Sequence, residues 1–238
     1  VGGEGFRALN LFVTGCSARW GGGIMINGRS SYLENITADN NSARSGGGIH
    51  YNNSGEGYAK NIRVTNNTVT NIGAGLYFYH GANTNVVNLH SEGNLANWGA
   101  GIMVYNDCHP VITNALVIDN TAFAAEYSGN GAGGGIEAWQ NSSTTFISST
   151  FYGNISDAGP GSAISYGDYS SISLINSIVW GNIGESSIYI ELVDDEDNSE
   201  IYINNSIVEG GADGDNVYDV DPMFVDPLNN DFHVLDGS

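Results

Sequence analysis

Basic side chains are scarce in this chain: 6 Lys and Arg stand against 26 Asp and Glu, a formal net charge of −20 over 238 residues. A surface this acidic repels phosphate backbones, which excludes nucleic acid and anionic membranes as partners and favours cations. Long apolar runs are missing too. Nothing in the chain approaches the roughly 18 residues of a membrane-spanning helix, so no membrane insertion is expected, and no basic-then-apolar leader opens it. Cysteine is limited to Cys16 and Cys108. They lie about four repeats apart, which at about 4.8 Å per strand is about 19 Å, beyond the reach of a disulfide; two free thiols are expected. His50, His80, His90, His109 and His233 are scattered without zinc-ligand spacing.

Glycine is abundant, and it is periodic. GGGI occupies 21–24, 46–49 and 133–136, with the variants GAGL at 73–76, GAGI at 99–102, GSAI at 161–164 and ESSI at 185–188. The aliphatic anchors Ile24, Ile49, Leu76, Ile102, Ile136, Ile164 and Ile188 follow at steps of 25, 27, 26, 34, 28 and 24 residues. A second signal trails each of the first six: Asn41, Asn67, Asn94, Asn120, Asn154 and Asn182 lie 17 residues after the first anchor and 18 after the others. The chain is therefore a repeat protein, with its length variation confined to one corner of the unit.

Each anchor begins an alternating stretch, such as Ile49-His50-Tyr51 or Ile102-Met103-Val104, with apolar first and third residues. That is the period of a strand with one buried face. A second short strand precedes each Asn, with Val13, Ala38, Val64, Ser91, Val117, Phe151 and Val179 at one equivalent position. The rung lacks the dense Leu of leucine-rich repeats and is too short for a propeller blade. The expected fold is all-β, a right-handed parallel β-helix (solenoid) of about seven coils. The Asn row is expected to form an internal amide ladder, with Cys16 as a small buried residue in the first coil. The glycines are expected to supply positive φ and close backbone approach at the corner. Residues 1–211 are read as coils and 212–238 as a C-terminal cap, because Pro222 and Pro227 cannot continue a ladder; Met223, Phe224 and Val225 would cover the core's end. No comparable cap opens the chain, and residues 1–9 begin in mid-repeat, so the chain is expected to be part of a larger polypeptide.

The GGGI phrases together with Phe151-Tyr152-Gly153-Asn154 resemble the GGA[IL] and FxxN repeats of chlamydial polymorphic outer-membrane proteins. Residues 176–182 and the tail Asp221-Pro222-Met223-Phe224 to Asp231-Phe232-His233 are similar to the last coils of secreted pectate-lyase-like β-helix proteins of Bacteroidota. The resemblance covers nearly the whole chain and implies the β-helix fold and an extracellular or cell-surface location. It is silent on activity, because the scaffold hosts adhesins, lyases, hydrolases and spacers.

The second and fourth residues of the anchor strand are expected to point outward as two exposed rows. One is Met25, His50, Tyr77, Met103, Glu137, Ser165 and Tyr189; the other is Asn27, Asn52, Tyr79, Tyr105, Trp139, Gly167 and Glu191. In the middle coils they gather Tyr77, Tyr79, Tyr105 and Trp139, flanked by His80, Asp107 and Glu137. Aromatics in line at strand spacing stack on sugar rings while carboxylates bind hydroxyls, which suggests a glycan-binding face for a polysaccharide or cell-surface glycan. The plainer alternative is a solvated sheet made of ordinary β-formers. The insertion at 121–132, with Glu126 and Tyr127, leads into this face as a wall. A second insertion, 193–198, is rich in Asp.

Catalysis as a lyase or glycoside hydrolase is the rival reading. Lyases of this fold rely on basic groups, yet Lys60, Arg7, Arg19, Arg29, Arg44 and Arg63 all lie in the early coils. Glu137 with Asp107 or Glu126 is the carboxylate pair a glycosidase would use. No cofactor is required by either reading. Asp213, Asp215, Asp219 and Asp221 offer oxygen ligands suited to Ca²⁺, without the full EF-hand pattern, or are solvated turn carboxylates.

Overall fold

The computed structural model describes residues 5–124, 131–157 and 159–235. Each repeat contributes strands to three parallel sheets, of seven, eleven and six strands, stacked around one axis. The seven-stranded sheet runs from Ile24–Ile26 to Ile188–Glu191 in strict coil order. All seven anchors align as one row, Ile24 on Ile49, Leu76, Ile102, Ile136, Ile164 and Ile188. The eleven-stranded sheet aligns Val13, Ala38, Val64, Ser91, Val117, Phe151 and Val179 in the same way. The expected parallel solenoid is the fold, and its register is the spacing of the repeat.

Alternation explains the core. In the middle coils first and third anchor-strand residues, such as Ile49 and Tyr51 or Leu76 and Phe78, are fully buried, and Tyr51 stacks on Phe78 at 5.0 Å between ring centres. Buried apolar area of this kind contributes about 25 cal/mol per Å² to folding. The glycine corner closes the rung. Its first glycine has positive φ, 69° at Gly46 and 68° at Gly73. A Cβ on the third, Gly48, would stand 2.7 Å from the Gly75 carbonyl oxygen of the next coil, so a side chain there would push coils apart.

The Asn row is a continuous ladder. Asn67 Nδ2 donates to Asn94 Oδ1 at 3.0 Å and Asn94 Nδ2 to Asn120 Oδ1 at 2.9 Å, while each Oδ1 also accepts the backbone N–H of the coil before. Cys16 donates its N–H to Asn41 Oδ1 at 3.0 Å, so it holds the equivalent place, yet it is exposed rather than buried. It sits in the first of the described coils. Both thiols are free.

A second asparagine column was readable in the sequence and was missed. Asn10, Asn35, Asn61, Asn88 and Asn114 all have φ near 55° and form an exposed chain of amides, each donating about 2.8 Å back to the one before. Asparagine tolerates this left-handed conformation better than other side chains, which explains its choice at the bend inside the long strand.

Toward the C-terminus, Asp215–Tyr218 adds a parallel strand beside Glu200–Val208, and Phe224–Asp226 pairs antiparallel with Asp231–Val234. Phe224 and Phe232 pack around Tyr152, 5.8 and 5.1 Å away, on the outer flank of the long sheet. Asn230 reaches Glu92 at 3.0 Å on the same flank. Met223 and Val225, expected over the end of the core, are exposed.

Candidate functional site

The two outward rows differ in a way the alternation did not predict. In the middle coils the second-position row is buried: His50 and Tyr77 are each 2% exposed, Met103 3%, Glu137 6% and Ser165 0%. Its expected exposure is corrected there, while Met25 and Tyr189 at its ends are half-buried. The cause is the corner. Positive φ at the first glycine folds the incoming chain back over this row, so that a Cβ on Gly46, Gly73 or Gly133 would collide with the Cβ of His50, Tyr77 or Glu137. Ile72 and Trp98, bridged to each other in parallel, extend that cover, and Trp98 is bridged onward to Ala132. The fourth-position row, with Tyr79, Tyr105 and Trp139, remains half-exposed.

Between the covering segments and the sheet lies a slot of about 350 Å³ lined by Ile72, Trp98, Met103, Tyr105, Glu137 and Trp139, with Asn71 and Glu191 at its ends. Ring directions explain the opening. Tyr105 stacks toward Tyr79, 5.7 Å between centres and 17° from parallel. Trp139 leans the other way and covers Gly167, where a Cβ would strike its ring. Neighbouring strands hold Tyr105 and Trp139 in register, yet their rings part above Glu137.

Glu137 is the unusual group of the slot. Its Oε2 has no hydrogen-bond partner among the described residues. Burial, reinforced by the charge of Glu191, pushes its carboxyl well above the usual range and favours the protonated acid. Farther along the same row, His50 has neither ring nitrogen hydrogen-bonded among the described residues, and burial holds its pKa down to about 4. Its ring lies on Tyr77 at 4.5 Å. Ser165 Oγ is a fourth atom of the row without a partner among the described residues.

Of the residues expected at the site, Tyr105, Trp139 and Glu137 line the slot. Tyr77 is sealed beneath it, between His50 and Tyr79, which removes it as a contact surface. Tyr79 and His80 stack on one another at 4.0 Å and continue the aromatic line outward. Asp107 lies elsewhere, in a turn where it accepts from Asn141 at 3.2 Å and faces His109 at 3.4 Å, so it does not pair with Glu137 in the slot. Glu126 and Tyr127 lie outside the described residues. Trp98 and Glu191 were not expected. Glu191 stood in the fourth-position row, and Trp98 had only its place before a glycine corner as a signal.

The Asp-rich turn at 193–198 braces the coil before it: Asp194 accepts from the Tyr169 hydroxyl at 2.9 Å, and Asp197 accepts the backbone N–H of Tyr169 at 3.1 Å. Asp213 and Asp215 border a shallow groove with Tyr202 and Asn204, whereas Asp219 and Asp221 accept backbone N–H groups of Gly210 and Met223. Among the described residues no three His, Cys, Asp or Glu side chains form a metal-ligand group.

A family model described as right handed beta helix region matches residues 4–134, more than half of the chain. The chain belongs to this family. No curated protein and no solved structure matches it. In this β-helix the matched span carries the Trp98, Met103 and Tyr105 wall of the slot, while Glu137, Trp139 and Glu191 come from the coils beyond it.

Proposed function

We propose that this β-helix is an extracellular or cell-surface module for adhesion or scaffolding that binds carbohydrate in the slot between Trp98, Tyr105 and Trp139. The observation that carries the reading is an aromatic-walled slot on a rigid sheet, floored by a buried carboxyl with an unused oxygen. Aromatic faces stack on the apolar faces of sugar rings, and a buried carboxyl with an unused oxygen gains from a ligand that hydrogen-bonds it. The residues arise from successive coils, so the slot is elongated along the axis, as a chain-like glycan requires.

The test is a screen of polysaccharide retention and sugar release on the whole chain. Retention without products is expected. Trp139→Ala and Tyr105→Ala should each weaken binding by roughly 1–3 kcal/mol, the size of an aromatic side chain's burial and stacking. Unchanged affinity in both variants removes the slot as the binding site.

Glycoside hydrolysis is the second reading, favoured by one observation: the raised Glu137 carboxyl shares its slot with Glu191. The two strands are two ladder steps apart, about 10 Å between backbones, and Glu191 stands two residues beyond the position in register with Glu137. In an inverting glycosidase one carboxyl of such a pair protonates the leaving oxygen and the other activates water. New reducing ends that vanish in Glu137→Gln would establish this reading; their absence in the parent protein rejects it.

A further inference from the structure

The geometry points to a ligand that carries positive charge: we propose that the Glu137–Glu191 end of the slot takes an ammonium group borne on a sugar or alkyl body, an amino-sugar residue being the form consistent with the carbohydrate reading on which this rests.

Charge balance is the first argument. Two carboxyl groups line the slot, and no Lys or Arg does. All six basic side chains of the chain lie between positions 7 and 63. Arg44 comes nearest by backbone, since its carbonyl accepts from Asn71 N–H at 3.0 Å, but its guanidinium is directed to the Trp20 ring, 6.0 Å from the centre. The protein thus places two acids together and supplies no cation for them.

The second argument is the buried oxygen. Glu137 is 6% exposed and its Oε2 is unpartnered among the described residues. A carboxyl left in that state costs folding free energy, and a donor entering the slot recovers it; a cationic donor recovers more, because its bond is charge-assisted. The third argument is the wall. Trp98, Tyr105 and Trp139 present π faces, which attract cations most strongly where water is excluded, and the Met103 thioether adds polarisable surface.

Among the described residues, the ionisable groups facing Glu137 are Glu191 and Tyr105. Burial and the Glu191 charge both disfavour ionisation of Glu137 in the free protein. Entry of an ammonium group offsets the repulsion from Glu191 and favours the ionised form of Glu137.

The probes are a glucosamine tetramer, its N-acetylated counterpart, choline and glucose, titrated calorimetrically into the full chain. The glucosamine tetramer is expected to bind at least tenfold tighter than the N-acetylated one. Glu137→Gln should cut that preference at least fivefold. Glu191→Gln, at an exposed position, serves if the first variant melts below the assay temperature, and should reduce the preference severalfold. Equal binding of the charged and acetylated tetramers overturns the cation proposal and leaves the carbohydrate reading intact. Choline binding as tightly as the glucosamine tetramer, with glucose inert, supports the cation site and rejects the sugar. Failure of both glucosamine and choline, or an unchanged preference in Glu191→Gln, overturns the proposal.

Discussion

Two columns of buried polar side chains run along the axis of this β-helix, and they treat their hydrogen bonds in opposite ways. In the asparagine ladder the amides are used repeatedly: Asn94 Nδ2 donates to Val64 O, Ser91 Oγ and Asn120 Oδ1, and its Oδ1 accepts two bonds from Asn67. In the row from His50 to Ser165, the ring nitrogens of His50, Glu137 Oε2 and Ser165 Oγ are buried without partners among the described residues. Burial of a polar group is neutral to stability only when its bonds are made. The first column holds the coils in register. The second stores unmet bonding capacity beside an open slot, the condition under which a ligand gains by entering.

The comparison breaks most visibly in the ladder. Asn94→Leu leaves Val64 O and Asn67 N–H without the partners they have now. The expected loss is about 4 kcal/mol of unfolding free energy, since each orphaned buried group costs about 1–3 kcal/mol. Chemical denaturation followed by circular dichroism checks it; a loss below about 1 kcal/mol would show that the ladder is not what holds the coils.

The unsatisfied row should reveal itself through pH. His50 is held at about 4, below the ordinary value of 6.5, so its contribution is fully present above pH 6.5 and is lost as pH falls toward 4. The loss reaches about 3 kcal/mol. His50→Phe, which keeps the stack on Tyr77, should flatten that limb. Glu137 acts with the opposite sign. Its folded pKa is raised, so its contribution is full below the ordinary carboxyl range and disappears as pH rises through the folded value. Glu137→Gln should remove this alkaline loss, measured as melting temperature against pH.

A smaller effect on binding is expected at Gly167, whose missing side chain leaves room for the Glu191 carbonyl of the paired strand and for the Trp139 ring. Gly167→Ala should push back both the Glu191 strand and that ring and lower glycan affinity by about 1 kcal/mol or more, one aromatic contact being worth about that much, with a shift in tryptophan emission. Unaltered emission and affinity would mean that the lean of Trp139 does not shape the slot. The smallest effect belongs to the exposed asparagine column. Asn88 has φ 58°, so Asn88→Gly keeps the backbone unstrained while water replaces its amide bonds, and the cost should stay within about 0.5 kcal/mol. A loss matching that of Asn94→Leu would erase the distinction between buried and exposed ladders.

The fold was legible because a solenoid stacks each residue on its equivalent one repeat away, so spacing in sequence is position in space. Anchor, ladder and inner-strand rows all align as their intervals require. The exposed column at Asn10, Asn35, Asn61, Asn88 and Asn114 carried the same kind of signal and was equally readable. The site was half legible. Tyr105, Trp139 and Glu137 were found from alternation, but alternation distinguishes only two faces of a strand and does not say what lies on the outer one.

The sequence alone determined the rung, its register and the identity of the residues on the outward rows, since these follow from local period and repeat length. Tertiary structure decided which row is covered, because the cover is made by chain segments such as Ile72 and Trp98 that glycine corners fold back over the strand. It also decided that Glu137 is a buried carboxyl whose Oε2 has no partner among the described residues, and Asp107 an exposed turn residue. Burial and ring direction depend on every neighbour at once, and repeat spacing carries no record of them.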